Sequence, residues 1–191
     1  MDFRAIHAEE LPTAFAITDE QERETCARQF ACYPDLFVAG WEEGRIVGAC
    51  YGWPVDHPRE RAQLMGLTAI TLQRELRGRG HGRELLTCWE RQVARRGEWT
   101  VDVGTSFDAF YLGCGYTPVE FFVKVHKDHL PADFRARGYP IWFVRYEEDP
   151  LVVLYVKRAG DRHLEQREEM GRVLGAESTG TIFRKHLPRA R

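Results

Sequence analysis

Arg77-Gly78-Arg79-Gly80-His81-Gly82, with Arg83 directly behind it, is the segment whose residue types and spacing point most directly to chemistry. Leu67-Thr68-Ala69-Ile70-Thr71-Leu72 before it is apolar or β-branched and reads as a buried strand. Behind it, Leu85, Leu86, Trp89 and Val93 recur at helical spacing until Gly97 offers a stop. The turn therefore opens a helix. A helix N-terminus carries partial positive charge and favours Asp or Glu, yet Arg77, Arg79 and Arg83 crowd this one. Cations gathered there are accounted for by a bound anion, and glycines let backbone N–H groups come close to it. The expected chemistry is the grip of a phosphate or diphosphate. A dinucleotide-binding G-x-G-x-x-G turn fails because Arg83 stands three residues after Gly80, and a P-loop fails because Gly82 is followed by Arg83-Glu84.

The pattern that fits is Gln or Arg, two residues, Gly, one residue, then Gly or Ala, filled by Arg77, Gly80 and Gly82. With its strand, Ile70 to Gly82 closely resembles the acetyl-coenzyme A loop of the GNAT superfamily of N-acyltransferases. Downstream, Asp108-Ala109-Phe110-Tyr111-Leu112-Gly113-Cys114-Gly115-Tyr116 is similar to that superfamily's short fourth helix, with a tyrosine four residues before a glycine–aromatic pair. Between the two motifs, Trp99-Thr100-Val101-Asp102-Val103 alternates as a half-buried strand. Strand, glycine turn, helix and strand make a parallel crossover unit.

The resemblance implies an α/β (α+β) fold: a mixed, mostly antiparallel central sheet flanked by helices, with a C-terminal extension. Residues 1–157 are expected to form the acetyltransferase domain, with 127–150 as an insertion, and 158–191 a helix and strand packed on the same domain. It further implies acetyl-coenzyme A as acyl donor and no metal. The backbone at Ile70 and Leu72 would meet the pantetheine amides, while Arg77, Gly78, Arg79, Gly80, His81, Gly82 and Arg83 would hold the diphosphate. Many members carry an asparagine where the short helix begins; Gly104-Thr105-Ser106 stands there in this chain, which leaves Ser106 as the cofactor contact in that region.

By matched position, Tyr111 would protonate or hydrogen-bond the departing sulfur. Phe107, Phe110, Tyr111 and Cys114 also share one helical face, so a core aromatic is the competing reading. A general base is harder to place, because Gln63 to Leu72 contains no Asp or Glu where many relatives have one. Asp102 is the candidate taken, ahead of Glu120, His57 and Asp56, and an acceptor of low pKa would need none. Trp41, Trp53, Phe121, Phe122, Trp142 and Phe143 are candidates for the acceptor pocket or the core.

The other elements follow from alternation and turn chemistry. Phe3 to Ile6 reads as a strand, Glu9 to Thr18 and Glu20 to Ala31 as helices with Asp19 between them as a cap. Leu36 to Ala39 and Arg45 to Tyr51 read as a hairpin joined by Gly40 to Gly44, with Trp53 to Pro58 breaking the sheet. Val119 to Val125, Ile141 to Val144, Leu151 to Val156 and Thr181 to Phe183 are further strands, Arg162 to Leu174 a charged helix, and Phe183 to Arg191 a frayed basic end.

The 191 residues suit one well-buried domain. A net charge of −2 argues against bulk binding to nucleic acid or anionic membrane, so an Arg/Gly nucleic-acid binder is the weaker rival. Five cysteines without C-x-x-C spacing suggest neither a disulfide framework nor zinc; Cys88 and Cys114 are expected to face the core. His126 and His129 with Asp128 between them read as solvated loop charges rather than metal ligands. Without a signal or bilayer-length apolar segment the expected location is cytoplasmic. The expected partners are a small-molecule or peptide amine acceptor and a second copy of the chain, with no nucleic acid and no membrane. A non-catalytic acyl-coenzyme A sensor is the alternative function.

Overall fold

The computed structural model describes residues 1–14, 20–56, 63–97, 99–131, 133, 139–147, 150–157 and 162–190. The fold is α/β and mostly antiparallel, with nine strands and five α-helices among these residues. By contacts the chain divides into two compact units, Met1–Val101 with His186–Arg191, and Asp102–Lys185.

In the first unit β1 (Asp2–Ala5), β2 (Phe37–Glu42), β3 (Arg45–Val55) and β4 (Leu64–Leu72) lie in sequence order, each antiparallel to the next. The hairpin between β2 and β3 is tighter than the sequence suggests. Gly40 to Glu42 belong to the strand, and only Glu43 (φ 50°) and Gly44 (φ 73°) turn the chain, both left-handed as a two-residue hairpin of this twist requires. Gly40 stays in the strand because the Phe3 ring of β1 lies over it; a Cβ there would be 3.1 Å from that ring. Trp53-Pro54 does not break the sheet either: β3 shifts register between Tyr51 and Gly52 and continues to Val55 against β4.

The first unit's helices cover both faces of its strands. On one, α1 (Leu11–Ala14) and α2 (Glu20–Cys32) contribute Ala14, Cys26 and Phe30 to a core with Phe37, Ala39 and Tyr51. On the other, α3 (His81–Arg96) buries Leu85, Leu86, Trp89 and Val93, the stripe expected from its periodicity. Trp89 fits because Gly52 has no side chain; a Cβ at Gly52 would meet the indole at 2.8 Å. The indole N–H donates to Leu36 C=O at 3.0 Å, satisfying its one polar group. Thr100, at the start of β5 (Trp99–Thr105), donates its N–H to the C=O of Gln63, just ahead of β4, at 3.1 Å. Neighbouring strands that begin at the same end run parallel, as expected of the crossover unit. Cys88, expected in the core, is only half-buried on α3, its Sγ 3.5 Å from Phe3 C=O.

The second unit contains α4 (Asp108–Gly113), β6 (Thr117–His126), β7 (Ile141–Tyr146), β8 (Leu151–Lys157), α5 (His163–Val173) and most of β9 (Ser178–Leu187), with strand order β9-β6-β8-β7. Strand alternation sends Phe121, Val123, Val125, Val152, Leu154 and Val156 to one core with Met170 and Leu174. As far as Leu187 the end of the chain is strand rather than a frayed tail. Phe183 is fully buried in β9, Lys185 donates to Cys114 C=O at 3.0 Å, and Leu187 is buried. Residues up to Arg184 pair along β6, which satisfies their backbone groups and outweighs their basic composition.

Arg167 of α5 ties this unit together. Its Nη1 donates to both Asp108 oxygens at 2.9 and 3.1 Å and to Thr181 Oγ1 of β9 at 2.7 Å, with only 11% and 15% of the Arg and Asp side chains exposed. Truncating one partner would strand a buried charge, so Arg167→Ala should cost about 3–5 kcal/mol in urea unfolding. A loss below about 1 kcal/mol would make the pair ornamental. In the first unit, Glu10 is held by the Arg4 guanidinium (2.7 and 2.9 Å) and the His7 N–H (2.7 Å), which lower its pKa from 4.5 to about 2. A depressed carboxylate stabilises the fold above its unfolded pKa, and the contribution is lost as pH falls through the folded value. The stability difference between the wild type and Glu10→Gln should therefore be full above about pH 5 and vanish near pH 2. A difference unchanged over that range, measured by urea titration, would refute this account.

Candidate functional site

The glycine turn is built by backbone geometry. After β4, Arg74–Leu76 makes one 3-10 turn, buries Leu76 against Val47 and Leu72, and sends the chain toward α3. Gly78 (φ 75°) and Gly80 (φ 93°) are left-handed, and a Cβ at either would meet nothing within 4 Å. These two glycines therefore serve conformation and leave the concave side of the turn open. Gly80 caps α3 without a side chain; its C=O accepts from Arg83 N–H at 2.9 Å and Glu84 N–H at 3.2 Å. His81 and Gly82 precede the first helical donor, Arg83, so their N–H groups point out of the helix. Outward N–H groups at a helix start are what an anion cradle requires.

The arginines divide their work. Arg77 donates Nε–H back to Leu72 C=O at 2.9 Å, so it braces the turn against the end of β4. Arg79 and Arg83 are exposed, and His81 Nδ1 lies 3.1 Å from Glu84 Oε2. Arg83 also lines a cleft of about 480 Å³ with Glu84, Thr87, Cys88, Arg91 and the N-terminal Met1 to Phe3.

The edge of β4 has a definite polarity. Gln73 N–H donates to Val47 C=O at 2.8 Å, which makes Gly48 and Leu72 a non-hydrogen-bonded pair of the antiparallel ladder. Cys50 and Ile70, two residues along, are the next such pair. Ile70 and Leu72 thus turn their N–H and C=O groups away from β3, and the Leu72 C=O meets the Arg77 Nε–H there. No sequence pattern reports this, because it depends on which register β3 takes.

In the second unit, Tyr111 and the Gly115-Tyr116 pair form one helix-ending device. Gly115 is left-handed (φ 83°), Gly115 N–H donates to Leu112 C=O at 3.1 Å and Tyr116 N–H to Tyr111 C=O at 3.0 Å. The hydrophobic contact that accompanies such an ending is Tyr111 against Tyr116, ring centroids 5.4 Å apart and near perpendicular. Tyr111 also stacks on Phe183 at 5.9 Å and is 4% exposed. Phe107, expected on the same inward face, is 75% exposed, because it precedes the helix and its N–H is turned to Thr105 Oγ1. Cys114 is likewise only half-buried.

Asp102 accepts from Arg184 Nε and Nη2 at 2.7 Å each, a bidentate pair across β5 and β9. Phe183 and Arg184 are adjacent on β9 and point to opposite faces, so Tyr111 and Asp102 lie on opposite faces of these strands. The structure does not bring the two together. Sequence reasoning missed Arg184; its only signal was the alternation Thr181, Phe183 against Ile182, Arg184. Ser106 is exposed between β5 and α4, Glu120 is half-buried on β6, Asp56 is exposed, and His57 lies outside the described residues.

Residues 2–116 match the profile of the Acetyltransferase (GNAT) family. No curated protein sequence matches the chain. Among solved structures it is similar to the NatB acetyltransferase complex bound to a bisubstrate inhibitor, with TM-score 0.58 and 15% identity over 100% of this chain and 93% of that one. It is also similar to a GCN5-related N-acetyltransferase from Kribbella flavida (TM-score 0.55, 14% identity, 97% of this chain and 72% of that one). A third is Chaetomium thermophilum Naa20 in complex with a bisubstrate analogue (TM-score 0.52, 19% identity, 87% and 90%). At these identities the likeness is one of fold.

Two substitutions separate conformation from approach. Gly80→Ala forces a left-handed alanine and should destabilise by about 1–2 kcal/mol. Gly82→Ala, at a helical position, should stabilise by up to about 1 kcal/mol while weakening anion binding at the turn. Urea unfolding alongside calorimetry with coenzyme A reads both; parallel changes in stability and affinity at Gly82 would sink the distinction.

Proposed function

The chain belongs to the Acetyltransferase (GNAT) family, and from that premise we propose that it moves an acetyl or other short acyl group from acyl-coenzyme A to a primary amine by direct attack in a ternary complex. The observation that carries this is the backbone polarity around the turn: outward N–H groups at His81 and Gly82, and Ile70 and Leu72 facing away from β3. A diphosphate suits the first and an arm with two amides suits the second. Gly78, Arg79, Gly80 and Arg83 complete the diphosphate grip, Arg77 holds the turn against Leu72, and Ser106 contacts the donor near the start of α4.

In the reaction the amine nitrogen gains the acyl carbon as the carbon–sulfur bond breaks; the amine loses a proton and the sulfur takes one. Tyr111 is the proton donor to the sulfur in this reading, its ring fixed by Tyr116 and Phe183. Asp102 has both oxygens on Arg184, which ties β5 to β9. The amine then loses its proton to water, or enters neutral. Bisubstrate ligands named for two structural neighbours hold donor and acceptor together, which accords with the ternary route.

The sensor reading draws support from the same Asp102–Arg184 pair and from the absence of a carboxylate on β4. Thiol release from acetyl-coenzyme A with a panel of primary amines separates the two. We expect turnover, and Tyr111→Phe should lower kcat by about 100-fold with donor affinity unchanged. Binding without turnover for any amine would leave the sensor; full kcat in Tyr111→Phe would assign that ring to packing.

A further inference from the structure

One face of the second unit carries aromatic side chains in a single transverse row. The core residues of β6 and β8 face α5, so Phe122, Lys124 and Tyr155 face the other way. The registers pair Gly180 of β9 with Phe122 of β6, Phe122 with Tyr155 of β8, and Tyr155 with Phe143 of β7. Ring centroids lie 6.5 Å apart for Phe122–Tyr155 and 5.6 Å for Phe143–Tyr155. A register shift between Ile141 and Phe143 brings Trp142 beside them, 5.5 Å from Phe143 and 6.4 Å from Tyr155. Phe143 is 36% exposed, while Phe122 and Tyr155 are half-buried.

The row has a direction. At its β9 end two glycines let the Phe122 ring lie close against the sheet: a Cβ at Gly180 would come 2.5 Å from that ring and 2.8 Å from Thr105 C=O, and one at Gly104 would come 3.2 Å from Ile182 and 3.4 Å from Phe122. Gly104 and Thr105 lead directly to Ser106. Charges flank the row on both sides. On one, Glu147 bridges Lys124 (2.7 Å) and Arg145 (2.6 Å), and Arg145 rests over Tyr155. On the other stand Glu120 and its cross-strand neighbour Lys157. Glu120 stands two residues before Phe122 on β6 and so shares its face of the sheet.

We propose that this row is the acceptor platform, and that the acceptor is a primary amine bearing an aromatic group. The ring lies against Phe143, Tyr155 and Phe122, and the ammonium runs toward Glu120 on the flank of the row. Aromatic faces favour such a ring by edge and offset contacts beyond simple burial, and an anionic group suits the cation. A lone alkyl amine would leave most of the row uncovered. The proposal rests on the acyl-transfer reading for its use and on the geometry of the row for its ligand.

The test compares 2-phenylethylamine with n-butylamine on the full chain, by thiol release and by calorimetry. KM for 2-phenylethylamine should be about tenfold lower than for n-butylamine, the worth of one aromatic contact set. Phe143→Ala, at an exposed edge position, should raise that KM about tenfold and bring the KM ratio of the two amines toward one. Phe143→Tyr should restore it. Equal KM values for the two amines, or selectivity that survives Phe143→Ala, would overturn the platform. If acetyl-coenzyme A binds and no amine turns over, calorimetry decides separately. Binding of 2-phenylethylamine lost in Phe143→Ala upholds the platform while the transfer reading falls, and no binding to the wild type removes the platform.

Discussion

Main-chain hydrogen bonding at the end of β4 and the start of α3 is the constraint on which the rest of this protein depends. Backbone N–H and C=O groups away from secondary-structure partners must be met by water, a side chain or a ligand. Here the N–H groups of His81 and Gly82 point out of α3, and Ile70 and Leu72 turn theirs away from β3, all within about a dozen residues of chain. Two left-handed glycines make the reversal without side chains on its concave side. Arg77 meets the Leu72 carbonyl and keeps the turn in place. The buried stripe of α3, with Trp89 seated over Gly52, holds the helix that presents those amides. A site made of backbone is preorganised at little side-chain entropy cost, which suits a ligand bound by its phosphates and amides.

The second unit solves a different problem, the fixing of a short helix. Six residues of α4 cannot be stable alone, since helix nucleation is costly and few bonds follow it. It is held at its start by Asp108 to Arg167 and at its end by the Gly115 turn with Tyr116 folded on Tyr111. The glycine–aromatic spacing is thus a helix-ending signature first, and any chemistry of the tyrosine hydroxyl is built on that scaffold. The same strands place Asp102 on the opposite face, locked to Arg184. Acid and base candidates separated by a sheet cannot pass a proton directly, and each must be judged on its own surroundings.

Alternation also organises what surrounds the acceptor side. One face of β6 and β8 is spent on the core beneath α5, so the aromatic residues between those apolar positions have nowhere else to go but the open face. Their alignment into a row comes from register, and the close seat of the Phe122 ring on the sheet from Gly104 and Gly180. Burial pushes the Tyr155 hydroxyl pKa up, so it stays a neutral hydrogen-bonding group on that face.

By itself the sequence determined the glycine turn, its strand and helix, the apolar stripe of α3, the crossover to β5 and the short helix with its closing glycine. All of these are local: residues within about one element specify them through dihedral preference and periodicity. The order of strands, the pairing of β9 along β6 and the partners of Asp102, Asp108 and Lys185 were decided only by the tertiary structure. Such contacts join residues about 60–80 positions apart, and no local preference encodes which carboxylate meets which guanidinium. The basic end of the chain shows the difference most plainly. Its composition is that of a solvated tail, yet the unpaired edge of β6 draws it in, because a strand that satisfies another's backbone groups gains more than its charges lose by partial burial.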